Sequence, residues 1–235
     1  MNSIGDKKIK CLIIHGFGGG PHEVKPLADY LAGLAYDVVC PVLKGHSATR
    51  KEMSKATYQD WIDSAERELL KIKENGDEIF LIGFSMGGLI AFNLACKHKV
   101  KLLVTINTPI FIWNIRRVIL NLAADLKNRN YKNFSRYLQA GNISPLAAMI
   151  QFLLLLRQTK PKLEKVNCPI LITQAEDDDT VRIRSVSYLE KHLSSDRKAI
   201  RLFPEGGHLI LLSPMAEQVM LCVGDYLRDQ LATPL

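Results

Sequence analysis

Short β-rich runs alternate with helical patterns along most of the chain, and this alternation restricts the fold more than any other feature. Residues 9–14, 38–42, 79–84, 102–106, 170–173 and 199–203 read as strands. Most are nearly continuous apolar runs, as expected when helices cover both faces of a sheet. Between them, residues 24–34, 58–74, 86–98, 183–193 and 214–227 carry apolar residues at helical spacing. Trp61, Ala65, Leu69 and Ile72 form one such stripe, with Asp63, Glu66, Arg67 and Lys71 facing away. Pro214 stands where a first-turn proline belongs. The pattern predicts a mostly parallel sheet flanked by helices and joined by right-handed crossovers.

The alternation stops after Asn107 and resumes at Cys168-Pro169-Ile170. Residues 108–165 hold no convincing strand. They read as three helical stretches, 112–127, 131–139 and 145–157, inserted between two strands. The expected organisation is a core of residues 1–107 and 166–235 with a helical cap at 108–165. Charge marks the same boundary. Residues 113–165 hold ten basic side chains (Arg116, Arg117, Lys127, Arg129, Lys132, Arg136, Arg157, Lys160, Lys162, Lys165) against Asp125 and Glu164, or +8. The chain's net charge is +7, which leaves −1 for the rest. A nucleic-acid surface is not expected from that distribution. The basic residues are expected on solvated outer faces of the cap; the sharper reading is that they draw the cap toward anionic lipid surfaces or acidic substrates.

A chain of 235 residues buries a real core without disulfides or metal. Its five cysteines, Cys11, Cys40, Cys96, Cys168 and Cys222, are scattered and form no Cys-x-x-Cys pair, which fits free thiols in a reducing cytosol. The charged first ten residues do not read as a signal peptide. The longest apolar stretch, 147–156, is about half of what a bilayer span requires. A cytoplasmic, non-membrane-spanning protein is expected.

Gly83-Phe84-Ser85-Met86-Gly87-Gly88 lies between a strand and a helix. Gly-x-Ser-x-Gly in that context is a sharp turn that lifts a serine hydroxyl above the sheet edge, at a helix N-terminus that favours developing negative charge. The other glycine cluster, His15-Gly16-Phe17-Gly18-Gly19-Gly20, lacks the order of a dinucleotide or nucleotide loop, and no acid closes the second strand.

A serine hydroxyl needs a base. Of the histidines His15, His22, His46, His98, His192 and His208, only His208 follows the last strand, in Pro204-Glu205-Gly206-Gly207-His208. His192 falls in a helical pattern and reads as a surface residue, and His15 as a core residue bracing the first loop. An acid must orient the imidazole. Glu176, Asp177, Asp178 and Asp179 follow the fifth strand, and four adjacent acids imply that most are solvated. Their composition does not choose among them. Backbone N–H groups hold an oxyanion: Met86 supplies one, and Phe17 in the first loop the other.

Together, His15-Gly16-Phe17-Gly18-Gly19, Pro41-Val42-Leu43-Lys44-Gly45-His46, Gly83–Gly88, Gln174-Ala175-Glu176-Asp177-Asp178 and Gly207-His208 resemble the small bacterial carboxylesterases related to monoacylglycerol lipases. The resemblance covers nearly the whole chain. It implies the α/β-hydrolase fold with a small helical cap. The family's Asp-x-x-Val selects Asp178, with Val181 following, and leaves Asp177 as the next choice. Only eight residues precede the first strand, so the antiparallel strands that open many such folds are expected to be absent or reduced. The implied reaction is hydrolysis of a short- or medium-chain acyl ester or a monoacylglycerol through Ser85, His208 and Asp178, with no metal or organic cofactor. Phe111, Trp113, Phe134 and Phe152 are candidates to line an acyl pocket, though most such cap residues are expected to pack the cap onto the core. The same triad could serve a thioester, lactone or amide. The rival of another class is a ligand-binding protein that retains the fold without catalysis.

Overall fold

The computed structural model describes residues 9–46, 49–74, 76–112, 127 and 145–232. Six strands appear in chain order: β1 (Ile9–Ile14), β2 (Asp37–Val39), β3 (Glu78–Phe84), β4 (Leu102–Ile106), β5 (Ile170–Ala175) and β6 (Lys198–Phe203). They form one sheet in the order β2-β1-β3-β4-β5-β6, and every pairing is parallel. Among the described residues the helices are α1 (Lys25–Gly33), α2 (Arg50–Lys55), α3 (Tyr58–Glu74), α4 (Met86–Lys97), α5 (Leu146–Thr159), α6 (Arg184–His192) and α7 (Ala216–Ala232).

The sheet's two faces carry two cores. Along β3, Ile79 and Leu81 join a cluster with Trp61 and Leu69 of α3, Leu89 of α4 and Leu155 of α5. Phe80, Ile82 and Phe84 point the other way, against Leu27 and Leu31 of α1 and Val219 and Val223 of α7. Each large apolar side chain fully buried this way contributes about 1.5–3 kcal/mol. The chain turns outward in opposite directions from β1, which lies between β2 and β3. Such a reversal opens a crevice at the carboxyl ends of the strands, and the loop after β1 and the turn after β3 both emerge there.

The structure departs from the sequence pattern in several places. β2 ends at Val39, short of the expected 42; Pro41, which lacks an N–H, follows at the sheet edge. β5 runs on to Ala175 because its ladder with β6 extends to the Ala175–Phe203 pair. Pro214 lies in the turn ahead of α7, not in its first turn. Ser213 sets that start instead, its Oγ accepting the Met215 N–H at 3.1 Å. Helix α2 was not anticipated; a reciprocal cap between Thr49 and Glu52 stabilises its first turn.

Of the segment between β4 and β5, the described part comprises an Ile112–Val181 bridge, α5 and a 3-10 turn at Lys160–Lys165. Trp113, Phe134 and nearly all of the stretches 112–127 and 131–139 lie outside the described residues. Ala148, Phe152, Leu155 and Leu156 bury one face of α5. A polar latch joins it to α4: Asn93 Nδ2 donates to Thr159 Oγ1 at 2.7 Å, and Lys162 Nζ donates to Asn93 Oδ1 at 2.5 Å. Lys160 Nζ sits 5.0 Å from the centre of the Phe111 ring. Lys160 and Lys162 are thus half-buried internal partners, contrary to the solvated placement expected for the basic residues. Arg157 and Lys165 are exposed.

Candidate active site

Ser85 occupies the turn between β3 and α4 with φ +50° and ψ −121°, backbone angles that a residue other than glycine rarely adopts. Close packing enforces the turn. A Cβ at Gly83 would lie 2.5 Å from the Gly87 carbonyl, and one at Gly87 only 2.1 Å from the Ile14 carbonyl oxygen. The Ser85 N–H donates to Ile106 O at 2.8 Å, fixing the turn to the end of β4. The Ser85 Oγ stands 2.9 Å from His208 Nε2.

His208 follows β6 after Gly206 and Gly207, both at positive φ. Its Nδ1 donates to Asp178 Oδ2 at 2.9 Å, and its ring packs 5.5 Å from that of Phe84. This bond leaves Nε2 to face the serine. Asp178 is 1% exposed, yet its carboxylate is fully solvated by protein. Oδ1 accepts the N–H groups of Thr180 (2.8 Å) and Val181 (2.9 Å), and Oδ2 also accepts Gln174 Nε2 at 3.1 Å. Asp177 takes a different place. Its Oδ1 accepts the Gly207 N–H at 2.7 Å, so it holds the backbone of the histidine loop and not the ring.

The expectation that most of the four acids are solvated does not hold. Only Glu176 is exposed; Asp178 and Asp179 are buried and Asp177 is half-buried. The backbone N–H groups of the turn, the Gln174 amide and the Thr180 hydroxyl, which donates to Asp179 at 3.0 Å, replace the water. Burial alone would lower the pKa of His208, but the Asp178 carboxylate, aided by Asp179 and Glu23, outweighs it and raises the value above 6.5.

The loop after β1 is braced from two sides. His15 is wholly buried; its Nε2 accepts the Leu43 N–H at 3.2 Å and its Nδ1 donates to Gly16 O at 2.9 Å. Burial pushes its pKa down to about 4, so it is a neutral strut at pH 7. From the other side, Glu23 Oε2 accepts the Gly16 N–H at 3.1 Å. Its carboxylate lies against Gly19, where a Cβ would come within 2.0–2.2 Å of it. Burial raises the Glu23 pKa. Among the described residues the N–H groups of Phe17 and Met86 donate to nothing, which leaves both free for an oxyanion. The Phe17 ring is held by Trp61 (5.8 Å), His46 (6.2 Å) and Phe152 (5.3 Å).

The structure thus brings Ser85, His208 and Asp178 into one relay and sets Phe152 of α5 against the Phe17 loop. The Phe111 ring lies 4.0 Å from the Arg184 guanidinium, near Lys160 and edge-on to Tyr188. His192 stacks on Tyr188 in α6, away from the relay. Among the described residues no group of three His, Cys, Asp or Glu side chains is placed to hold a metal ion. Two residues escaped the sequence reading: Glu23, and Asn107, whose amide reaches the histidine loop.

Residues 12–140 match a family described as the alpha/beta hydrolase fold. The chain belongs to the α/β-hydrolase family. Among its relatives, a thermostable monoacylglycerol lipase of Bacillus sp. (strain H-257) is 32% identical over 215 residues, covering 87% of this chain and 84% of that protein. A carboxylesterase of Bacillus subtilis (strain 168) is 24% identical over 235 residues, covering 95% and 93%. In fold, this α/β-hydrolase is similar to a structure reported for the metagenome-derived lipolytic enzymes LipS and LipT, with TM-score 0.79 at 22% identity, covering 95% of this chain and 94% of that one. It is also similar to the monoacylglycerol lipase of Paleococcus ferrophilus, with TM-score 0.71 at 15% identity, covering 95% and 97%.

Proposed function

We propose that this α/β-hydrolase is a serine esterase that cleaves carboxylic esters through an acyl-enzyme, with short- or medium-chain acyl esters and monoacylglycerols as its substrate class. The observation that carries the reading is the unbroken relay Ser85 Oγ–His208 Nε2 (2.9 Å) and His208 Nδ1–Asp178 Oδ2 (2.9 Å), beside the Phe17 and Met86 N–H groups, which have no partner among the described residues. The lipase and esterase relatives support the choice of ester over other acyl derivatives.

In this mechanism His208 Nε2 takes the hydroxyl proton as Ser85 Oγ attacks the ester carbonyl. The carbonyl π electrons move onto oxygen, and the Phe17 and Met86 N–H groups receive the oxyanion. Asp178 stabilises the imidazolium and keeps the proton on Nδ1. Collapse breaks the bond to the alkoxy group, which leaves with the Nε2 proton as alcohol. Water then repeats the sequence on the acyl-enzyme, again deprotonated by His208, and releases the acid.

Within the expected cap, helix α5 brings Phe152 to 5.3 Å from Phe17, where it offers the acyl chain an apolar wall. The five free cysteines support a reducing, cytosolic setting. Among the described residues no helix is long and apolar enough to cross a membrane. The test is hydrolysis of p-nitrophenyl esters of increasing chain length by the purified chain and its Ser85→Ala variant. A burst of p-nitrophenol followed by steady turnover, both lost in the variant, is expected. Unchanged turnover in Ser85→Ala would end the proposal.

A further inference from the structure

Asn107 closes β4 in an unusual state. Its φ is +49°, and among the described non-glycine residues only Ala35 and Ser85 share a positive φ. Asparagine tolerates this left-handed region better than most residues. Asn107 is 0% exposed, and both hydrogens and the oxygen of its amide are engaged. Oδ1 accepts the Ala175 N–H at 2.9 Å, while Nδ2 donates to Gly207 O at 3.0 Å and His208 O at 2.8 Å. These partners also fix the amide orientation, because only the nitrogen can face two carbonyls and only the oxygen can face an N–H. The backbone joins in. Asn107 N–H donates to Thr173 O at 2.9 Å, and the preceding carbonyl, Ile106 O, holds the Ser85 N–H at 2.8 Å.

Three segments therefore meet at Ile106 and Asn107: the serine turn, the end of β5 three residues before Asp178, and the histidine loop. We propose that Asn107 is a positioning residue that sets the height of the His208 imidazole over Ser85 and keeps it in register with Asp178. This rests on the reading of Ser85, His208 and Asp178 as the reacting triad. Asn107 acts through the two backbone carbonyls at and before His208, and it does not touch the reacting atoms.

The need for such a hold follows from the loop itself. Gly206 and Gly207 give it two permissive hinges at φ +125° and +62°. Asp177 secures the Gly207 N–H at 2.7 Å, and Asn107 secures the carbonyls on the other side. Without the amide, two interior carbonyls and the Ala175 N–H lose their partners, and the loop must shift to recover them. The two 2.9 Å bonds of the imidazole leave no room for that shift. The charged groups facing His208 are the carboxylates of Asp178, Asp179 and Glu23, with Phe84 as the neighbouring ring. Asn107 adds no charge, so its effect on titration comes from geometry. An imidazole displaced from Asp178 loses the partner that most favours its cation, and its titration moves to lower pH.

The test uses the full chain. Asn107→Gly keeps the left-handed backbone and removes the amide. Asn107→Asp keeps an acceptor for Ala175 but turns a carboxylate oxygen toward two carbonyls. With folding confirmed by circular dichroism, Asn107→Gly should lose kcat by about 100-fold, the scale of a 1 Å misplacement. Its KM should change by less than about threefold. Fluorophosphonate labelling of Ser85 should slow in parallel, and the acid limb of kcat/KM should move to lower pH. Asn107→Asp should be at least as impaired. A merely structural role lowers the melting temperature and leaves kcat, labelling rate and acid limb unchanged below it, and that result overturns the proposal. Hydrogen exchange on the unmutated chain keeps the test open if the variants do not fold. The Ala175 N–H should be as protected as the amides within β5, and rapid exchange there overturns the proposal too. Ser85→Ala separates the two readings. If it stays active, the triad reading fails; if it is dead while Asn107→Gly behaves as wild type, only the role of Asn107 fails.

Discussion

The Asp178 carboxylate and the His208 imidazole meet at 2.9 Å, with Asp178 1% exposed. At so little exposure, solvent does not screen the pair, and the pairing outweighs the burial that would otherwise lower the histidine pKa. The base must be neutral to accept the serine proton. Activity should therefore rise with pH through a midpoint above 6.5, the ordinary value for histidine. A pH profile of kcat/KM on a p-nitrophenyl ester reads the midpoint directly, and one below 6.5 contradicts the account.

Asp178 and Asp177 hold different parts of the same loop, so their amide variants should separate. Asp178→Asn removes the charge that stabilises the imidazolium and should cut kcat by about 10³–10⁴-fold. Asp177→Asn retains an oxygen that can accept the Gly207 N–H. It loses one charge-assisted hydrogen bond, and its cost should stay near tenfold. Steady-state kinetics of the two proteins measure the gap; equal losses would contradict the assignment.

Glu23 combines two roles that substitution can split. Glu23→Gln keeps an acceptor for the Gly16 N–H, so kcat on the pH plateau should be nearly unchanged. It removes a negative charge facing His208, so the acid limb should move to lower pH. Glu23→Ala also frees the oxyanion loop and should lower kcat by about tenfold, the equivalent of one lost hydrogen bond. An unmoved limb in Glu23→Gln would show that the carboxylate does not act on the base.

His15 links the first loop to acid stability. Its folded pKa of about 4 lies below the ordinary 6.5, so the unfolded chain binds the proton first as pH falls. Its contribution is complete above about pH 6.5 and is lost progressively toward pH 4, for a total of about 3 kcal/mol. His208 runs the other way: its raised pKa favours the folded state at low pH, and that contribution is lost as pH rises through the folded value. Urea unfolding at pH 7 and pH 5 should show a smaller loss of stability in a folded His15→Gln variant than in the parent. Identical losses would contradict a neutral buried imidazole.

The parts of the fold most legible in the sequence are those whose physics is local. β1, β3, β4 and β5 are buried on both faces and therefore read as apolar runs. β2, on the edge, is mostly exposed or half-buried and its end could not be placed by pattern. Ser85 is legible because its turn needs glycines at fixed offsets, where Cβ atoms would strike backbone. The choice between Asp177 and Asp178 depends on which carboxylate the turn points at the ring, a geometry that four consecutive acids conceal. Asn107 left no signal at all. The partners of its side chain are backbone atoms 68 to 101 residues away in sequence, and backbone atoms carry no residue type. Lys160 and Lys162 misled for a related reason, since a basic run does not reveal which members find an aromatic ring or an amide.

The central claim is that the hydroxyl of Ser85 is activated by His208. Labelling with a fluorophosphonate, followed by peptide mass spectrometry, tests it most directly. One adduct per chain on Ser85 is expected, absent in Ser85→Ala and strongly slowed in His208→Ala. Labelling at another residue, or a rate indifferent to the loss of His208, would contradict the account.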